Sequence, residues 1–225
     1  MSELLDAVEL ETGPAPGAAI LWMHGLGADG HDFVDLVPVL GLPEAPGVRF
    51  VFPHAPMRPV TINHGMVMRA WYDVRGDAGE RREDEAGVRA SQQRLEALIA
   101  REKQRGVPAS RLVLAGFSQG GAMALHTGLR HPERLAGILA LSCFLPLSDT
   151  VAAEAAAANR DTPIFMAHGT QDSVIPAARA RRSRDALTAL GYRVDYREYP
   201  MPHAVCDAEI RDVAAWLREV LGLAD

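Results

Sequence analysis

"RLVLAGFSQGGAMAL", Arg111 to Leu125, passes from apolar residues to helix formers across a turn of glycine and serine. The apolar run predicts a buried strand over Arg111–Phe117, and the run after it predicts a helix over Gln119–Arg130. Between them, Gly116-Phe117-Ser118-Gln119-Gly120 matches G-x-S-x-G. A strand-to-helix turn this tight holds its serine in a strained backbone conformation, with the hydroxyl exposed above the sheet. Side chains two residues before and after the serine would collide with neighbouring elements, so glycine is needed there. The helix that follows offers free N–H groups and the positive end of its dipole, which suits a developing oxyanion. The competing reading is a plain glycine-rich turn. The strand before and the helix after favour a nucleophile.

Outward from this turn, short apolar runs alternate with helical patterns. Strands are expected at Ala18–Met23, Arg49–Phe52, Gly137–Ser142, Pro163–His168 and Arg193–Tyr199, with an antiparallel edge strand in Leu5–Leu10. Continuous apolar runs bounded by Gly and Pro suit a parallel sheet covered on both faces. Helices are expected over Asp84–Arg105, Ala177–Leu190 and Asp207–Leu221, and the Ala-rich Val151–Arg160 reads as a small surface helix. This alternation implies an α/β class, with a mostly parallel central sheet and helices on both faces. At 225 residues the chain fits one domain, 1–225. Residues 54–83 show neither period. So long a connection is expected to serve as a lid or pocket wall, with a packed apolar first half and a solvated charged second half.

A serine hydroxyl needs a base. In the strand–elbow–helix arrangement the order along the chain is Ser, acid, His. Eight histidines are present. His126 and His131 follow the elbow helix with no acid placed before them, and His168 precedes the best acid. His203, in "YPMPHAVC", lies between the last strand and the last helix, on the sheet edge that carries Ser118. Among the acids between Ser118 and His203, Asp172 follows the strand ending at His168 in the turn "GTQD" and shares that edge. Asp149 is the reserve candidate. Asp172 would hold the His203 tautomer and stabilise its imidazolium. A second oxyanion donor belongs in the loop after an early strand, and "MHGLGADG", Met23–Gly30, is that loop. The Leu26 N–H would act with the Gln119 N–H. The same loop lacks the Lys and Ser/Thr of a phosphate-binding P-loop.

"HGLGADG", "RAWYD", "GFSQGGAMAL", "LSCFLP", "HGTQDSVIP" and the His of "MPHAV" occur in one order. In this the chain resembles the phospholipase/carboxylesterase family of α/β-hydrolases, which includes acyl-protein thioesterases. The resemblance runs across nearly the whole chain. It implies an α/β-hydrolase fold and a metal-independent Ser118–His203–Asp172 triad without a cofactor. It also implies an oxyanion hole of the Leu26 and Gln119 amides. By position, Leu26, Trp71, Phe144 and Leu145 would line the acyl groove. The expected activity is that of a serine carboxylesterase on short- to medium-chain esters. The alternative is an acyl-protein thioesterase or lysophospholipase acting on long acyl chains. A hydrolase-fold receptor that has lost catalysis would be expected to lack a triad member.

Composition narrows the partners. Hydrophobic residues make up 48% and charged residues 23%, with a net charge of −6, which argues against a basic patch for nucleic acid or anionic lipid. The acidic start "MSELLDAVELETG" does not read as a secretory leader, and no apolar run reaches the length of a membrane span. No lipidation motif is evident, so no stable membrane anchor is expected and the expected location is the cytoplasm. Cys143 and Cys206 read as free, buried thiols, and no Cys/His spacing predicts a metal site. The expected partner is a small-molecule ester or thioester, bound by a monomer or homodimer.

Overall fold

Every residue of Ala18–Met23 is buried, and alternate side chains leave the strand on opposite faces. Ala19, Leu21 and Met23 enter one hydrophobic cluster; Ala18, Ile20 and Trp22 enter a second. A strand that is apolar throughout needs such cover on both faces, and the helices supply it. The computed structural model describes residues 4–76 and 82–223.

In chain order the strands are β1 (Ala7–Glu11), β2 (Ala18–Met23), β3 (Val48–Pro53), β4 (Met57–Val60), β5 (Met66–Arg69), β6 (Val74–Arg75), β7 (Arg82–Glu83), β8 (Leu112–Phe117), β9 (Gly137–Leu141), β10 (Ile164–Gly169) and β11 (Val194–Tyr199). The helices are α1 (Leu36–Leu40), α2 (Glu85–Gln104), α3 (Gln119–Arg130), α4 (Val151–Glu154), α5 (Ala177–Ala189) and α6 (Asp207–Leu221). The main sheet runs β1-β3-β2-β8-β9-β10-β11, with β1 antiparallel to β3 and the other pairs parallel. This is an α/β-hydrolase-type sheet. One face packs on Leu95, Leu98 and Ile99 of α2, the buried side of α3 and Leu187 of α5. The other packs on Leu40 of α1 and on Val213, Trp216 and Leu217 of α6. Each such side chain, fully buried, contributes about 1.5–3 kcal/mol.

Gln119–Leu129 of α3 is buried throughout. A helix enclosed on all sides tolerates little movement, so its first turn is a rigid platform. The chain leaves β2 toward β3 on one side, and β8 lies on the other. The carboxyl ends of β2 and β8 therefore flank a point where the topology diverges, the place where α/β sheets open a ligand crevice.

The expected strands and long helices are present with ends shifted by at most two residues. Three regions differ from expectation. Val151–Arg160 forms the four-residue α4 and a separate turn rather than one surface helix. Asn159 is buried there, donating to the carbonyls of His131 and Glu133 and accepting from the Leu135 N–H. Leu36–Leu40 is helical although Pro38 lies within it. Residues 57–69 form the β4–β5 hairpin, and β6 pairs with β7. The first half of the 54–83 segment packs only in part: Ala55 and Val60 are buried but Met57, Met66 and Val67 are exposed, and the buried run is Ala70–Tyr72, just past its midpoint. Residues 77–81 of its charged second half lie outside the described residues. Cys143 is buried and Cys206 half-buried, both free, and burial pushes the Cys143 thiol well up.

Candidate active site

Ser118 has φ 55° and ψ −120°, a backbone conformation that strains any side-chain-bearing residue. Its neighbours enforce it. A Cβ at Gly116 would lie 2.3 Å from the Gly120 backbone, and one at Gly120 would lie 2.1 Å from the Met23 carbonyl oxygen. The Ser118 N–H donates to Leu141 O at 2.8 Å, which ties the turn to β9. The hydroxyl is left facing a cleft of about 430 Å³.

His203 comes from the loop after β11. Its Nε2 lies 3.0 Å from Ser118 Oγ, and its Nδ1 donates to Asp172 Oδ2 at 2.6 Å. The loops that carry Asp172 and His203 are laced together. Thr170 N–H donates to Tyr199 O and Gln171 N–H to Met201 O. A Cβ at Gly169 would meet the Met201 and Pro202 carbonyl oxygens at 2.3 and 2.5 Å, so only glycine lets the loops approach this closely. Asp172 Oδ1 accepts the N–H groups of Val174 and Ile175, both at 2.8 Å. The Asp172 carboxylate is fully buried, and His203 retains 16% of its side-chain exposure. Buried acid, oriented imidazole and cleft-facing hydroxyl are thus in line, an arrangement able to draw the proton from Ser118 and return it to a leaving group.

Leu26 and Gln119 both line this cleft. Gln119 opens α3, so its N–H has no residue four places earlier in the helix to bond. The loop around Leu26 is pinned from several sides. Gly27 N–H donates to Arg69 O of β5. His24 bonds Gly25 O through Nδ1 at 2.7 Å and accepts the Ala55 N–H on Nε2 at 3.0 Å. Burial lowers the His24 pKa to about 4, which keeps the ring neutral, as an Nε2 acceptor must be. The Gln119 side chain is a further brace. Its Oε1 accepts the Trp71 N–H at 2.7 Å and its Nε2 donates to Tyr72 O at 2.8 Å.

The four residues expected along the acyl groove part company. Leu26 and Phe144 line the cleft that Ser118 faces. Leu145 is buried and borders a second, adjoining cleft instead. Trp71 corrects its expectation: it is fully buried, and its Nε1 donates to His24 O at 2.9 Å, bracing the Met23–Gly30 loop from behind. An indole reads alike in sequence as groove wall or core; the amide that the ring must satisfy decided its place. Tyr72, Val74, Ile62, Val174 and Ile175 supply apolar walls of the cleft. Asp149, the reserve acid, borders the second cleft and not Ser118.

The sequence reading missed three contributions. One is the Gln119 side chain, seen only as a source of a backbone amide. The second is His168, fully buried, whose Nε2 donates to Ile175 O at 2.8 Å and lies 3.2 Å from Asp172 Oδ2. The spacing His168-x-x-x-Asp172 at a strand end was the available signal. The third is Arg179, which reaches the cleft from α5; nothing in a run of helical arginines marked it. Among the described residues no group of three or more His, Cys, Asp or Glu could hold a metal ion, and no helix is long and apolar enough to cross a membrane.

Residues 7–221 match the Phospholipase/Carboxylesterase family. The chain is 41% identical to acyl-protein thioesterase 1 of Neurospora crassa, over 91% of this chain and 87% of that protein. It is 39% identical to acyl-protein thioesterase 1 of Gibberella zeae, over 91% of each. The crystal structure of Zea mays acyl-protein thioesterase 2 superposes with a TM-score of 0.84 at 28% identity, covering 96% of this chain and 99% of that one.

Proposed function

Because the chain belongs to the phospholipase/carboxylesterase family of α/β-hydrolases, we propose that it hydrolyses acyl thioesters, and esters by the same chemistry, through an acyl-enzyme on Ser118. The observation that carries this reading is the continuous hydrogen-bond line from Asp172 through His203 to Ser118 Oγ. His203 Nε2 takes the hydroxyl proton as Oγ attacks the acyl carbonyl carbon. The negative charge that develops on the carbonyl oxygen rests on the Leu26 and Gln119 amides. Asp172 holds the Nδ1–H tautomer and stabilises the imidazolium. His203 then gives the proton to the departing thiol or alcohol. Water, deprotonated by the same imidazole, attacks the acyl-enzyme and releases the acid and a free Ser118.

The thioester takes precedence over the short-chain ester expected first, because relatives at 35–41% identity are acyl-protein thioesterases. The apolar walls of the cleft suit an acyl chain of either donor. The test measures hydrolysis of an S-acylated cysteine peptide beside p-nitrophenyl esters, for wild type and Ser118→Ala. Wild type should turn over both donors with the thioester favoured, and the variant should lose on the order of 10⁵–10⁶ in kcat. A Ser118→Ala protein that kept a tenth of the activity would overturn the nucleophile assignment. Ester turnover far above thioester turnover would restore the general carboxylesterase.

A further inference from the structure

The catalytic cleft and the second cleft, of about 370 Å³, share three residues: Glu83, Phe144 and Arg179. Arg179 contacts both of the others. Arg179 Nη2 donates to Glu83 Oε1 at 2.5 Å, and the guanidinium carbon lies 3.4 Å from the centre of the Phe144 ring. Arg179 is thus fixed along its edge by a carboxylate and across its face by an aromatic ring. The Arg179–Glu83 pair is mostly shielded, with side chains 28% and 18% exposed. The backbone behind it is also tied down: Ser183 Oγ donates to Arg179 O and accepts the Leu145 N–H at 2.9 Å.

Ser118 and this wall line one cleft, with Tyr72, Val74 and Ile175 among its other walls. Gln119 holds Tyr72 by its carbonyl, and Val74 pairs in register with Glu83 across β6 and β7. Beyond the wall, Leu145 and Leu147 border the second cleft. We infer that Arg179, clamped between Glu83 and Phe144, is the wall that ends the acyl site and so sets the longest acyl chain this protein processes efficiently. An alkyl chain that reaches the wall meets a charged pair it cannot displace without breaking an ion pair and a ring contact. Shortening Arg179 joins the two clefts and opens a path along Leu145 and Leu147.

This inference rests on the proposed acyl-hydrolase reading, and the experiment separates the two. The quantity read is the ratio of kcat/KM for a hexadecanoyl to that for a butanoyl p-nitrophenyl ester, with the matching acyl thioesters in parallel. Each methylene moved from water onto apolar surface is worth up to about fourfold in binding, and the otherwise largely polar second cleft offers such surface at Phe144, Leu145 and Leu147. In Arg179→Ala the ratio should therefore rise on the order of tenfold or more, mainly through a lower KM for the long chain. Glu83→Gln, which frees the guanidinium without removing it, should raise the ratio by a smaller factor in the same direction. Should Arg179→Ala fail to fold by circular dichroism, Glu83→Gln decides. An unchanged ratio in the folded variants, with wild type active and Ser118→Ala inactive, overturns the wall and leaves the acyl-hydrolase reading standing. A wild type inactive on every ester and thioester overturns both.

Discussion

A methyl group at position 120 would sit 2.1 Å from the Met23 carbonyl oxygen and 2.7 Å from that of His24. Within a helix, alanine is ordinarily worth ~1 kcal/mol over glycine. Here that gain is far outweighed, because the obstructing atoms are backbone at the end of β2 and cannot rotate away. Gly120→Ala is expected to destabilise the protein by about 3 kcal/mol or more, read as a lowered midpoint in chemical denaturation. A stability equal to wild type would show that the elbow is looser than its contacts indicate. The need for glycine at 116 and 120 was legible in the sequence, since G-x-S-x-G between a strand and a helix has one physical cause. His203 and Asp172 were also brought together from chain order and sheet edge alone. Trp71 and His168 were not legible in their observed positions. A ring that could face a cleft or the core is assigned only by the carbonyl it reaches, and that depends on how distant loops meet.

The Met23–Gly30 loop and the first turn of α3 are held largely by side chains, those of His24, Trp71 and Gln119. Gln119 satisfies one N–H and one carbonyl of the buried Trp71–Tyr72 backbone. Gln119→Ala leaves both groups buried without partners, at about 1–3 kcal/mol each. The expected result is a drop of about 2–6 kcal/mol in unfolding free energy, with a fall in kcat that exceeds the change in KM, because the Gln119 N–H, the proposed oxyanion donor, survives but loses its brace. Denaturation and steady-state kinetics on the same preparation check both halves. Among the elements, β2, β8, β9 and β10 were readable because they are short apolar runs. The β4–β5 hairpin was not: Met57, Met66 and Val67 face outward, so it carries no alternation, and Pro59 argues against a strand. In α1, Pro38 concealed a single helical turn for the same kind of reason.

The order of the strands is a property of the assembled sheet that alternation does not reveal. Periodicity gives a parallel sheet and right-handed crossovers, but the turn-back between β3 and β8 depends on which face each helix covers. That face assignment also buries Glu209 of α6, whose carboxyl oxygens have no well-formed hydrogen bond among the described residues. Burial drives its pKa from 4.5 up to about 8, with the nearby Cys206 N–H offsetting part of the rise. A folded-state pKa above the unfolded one means that the folded protein holds the extra proton between these values. Stability from this group is therefore complete below about pH 4.5 and falls as pH rises through about 8. Glu209→Gln removes the titration. Its unfolding free energy relative to wild type should rise between pH 5 and about pH 8 and level off above that, by an amount on the order of a few kcal/mol or less. A difference that stays flat with pH would mean that Glu209 is ionised in both states throughout.

All of this geometry converges on one oxygen atom, Ser118 Oγ, and a covalent trap reads it directly. The protein would be reacted with a fluorophosphonate in one arm and, in the other, rapidly acid-quenched during turnover of an acyl thioester. Intact-mass and peptide mass spectrometry would then locate any adduct. The expected result is one phosphonyl or acyl group per chain, on the peptide containing Ser118, absent in Ser118→Ala and slowed by orders of magnitude in His203→Ala. An unlabelled folded protein, or a group attached to any other residue, would contradict nucleophilic catalysis at Ser118.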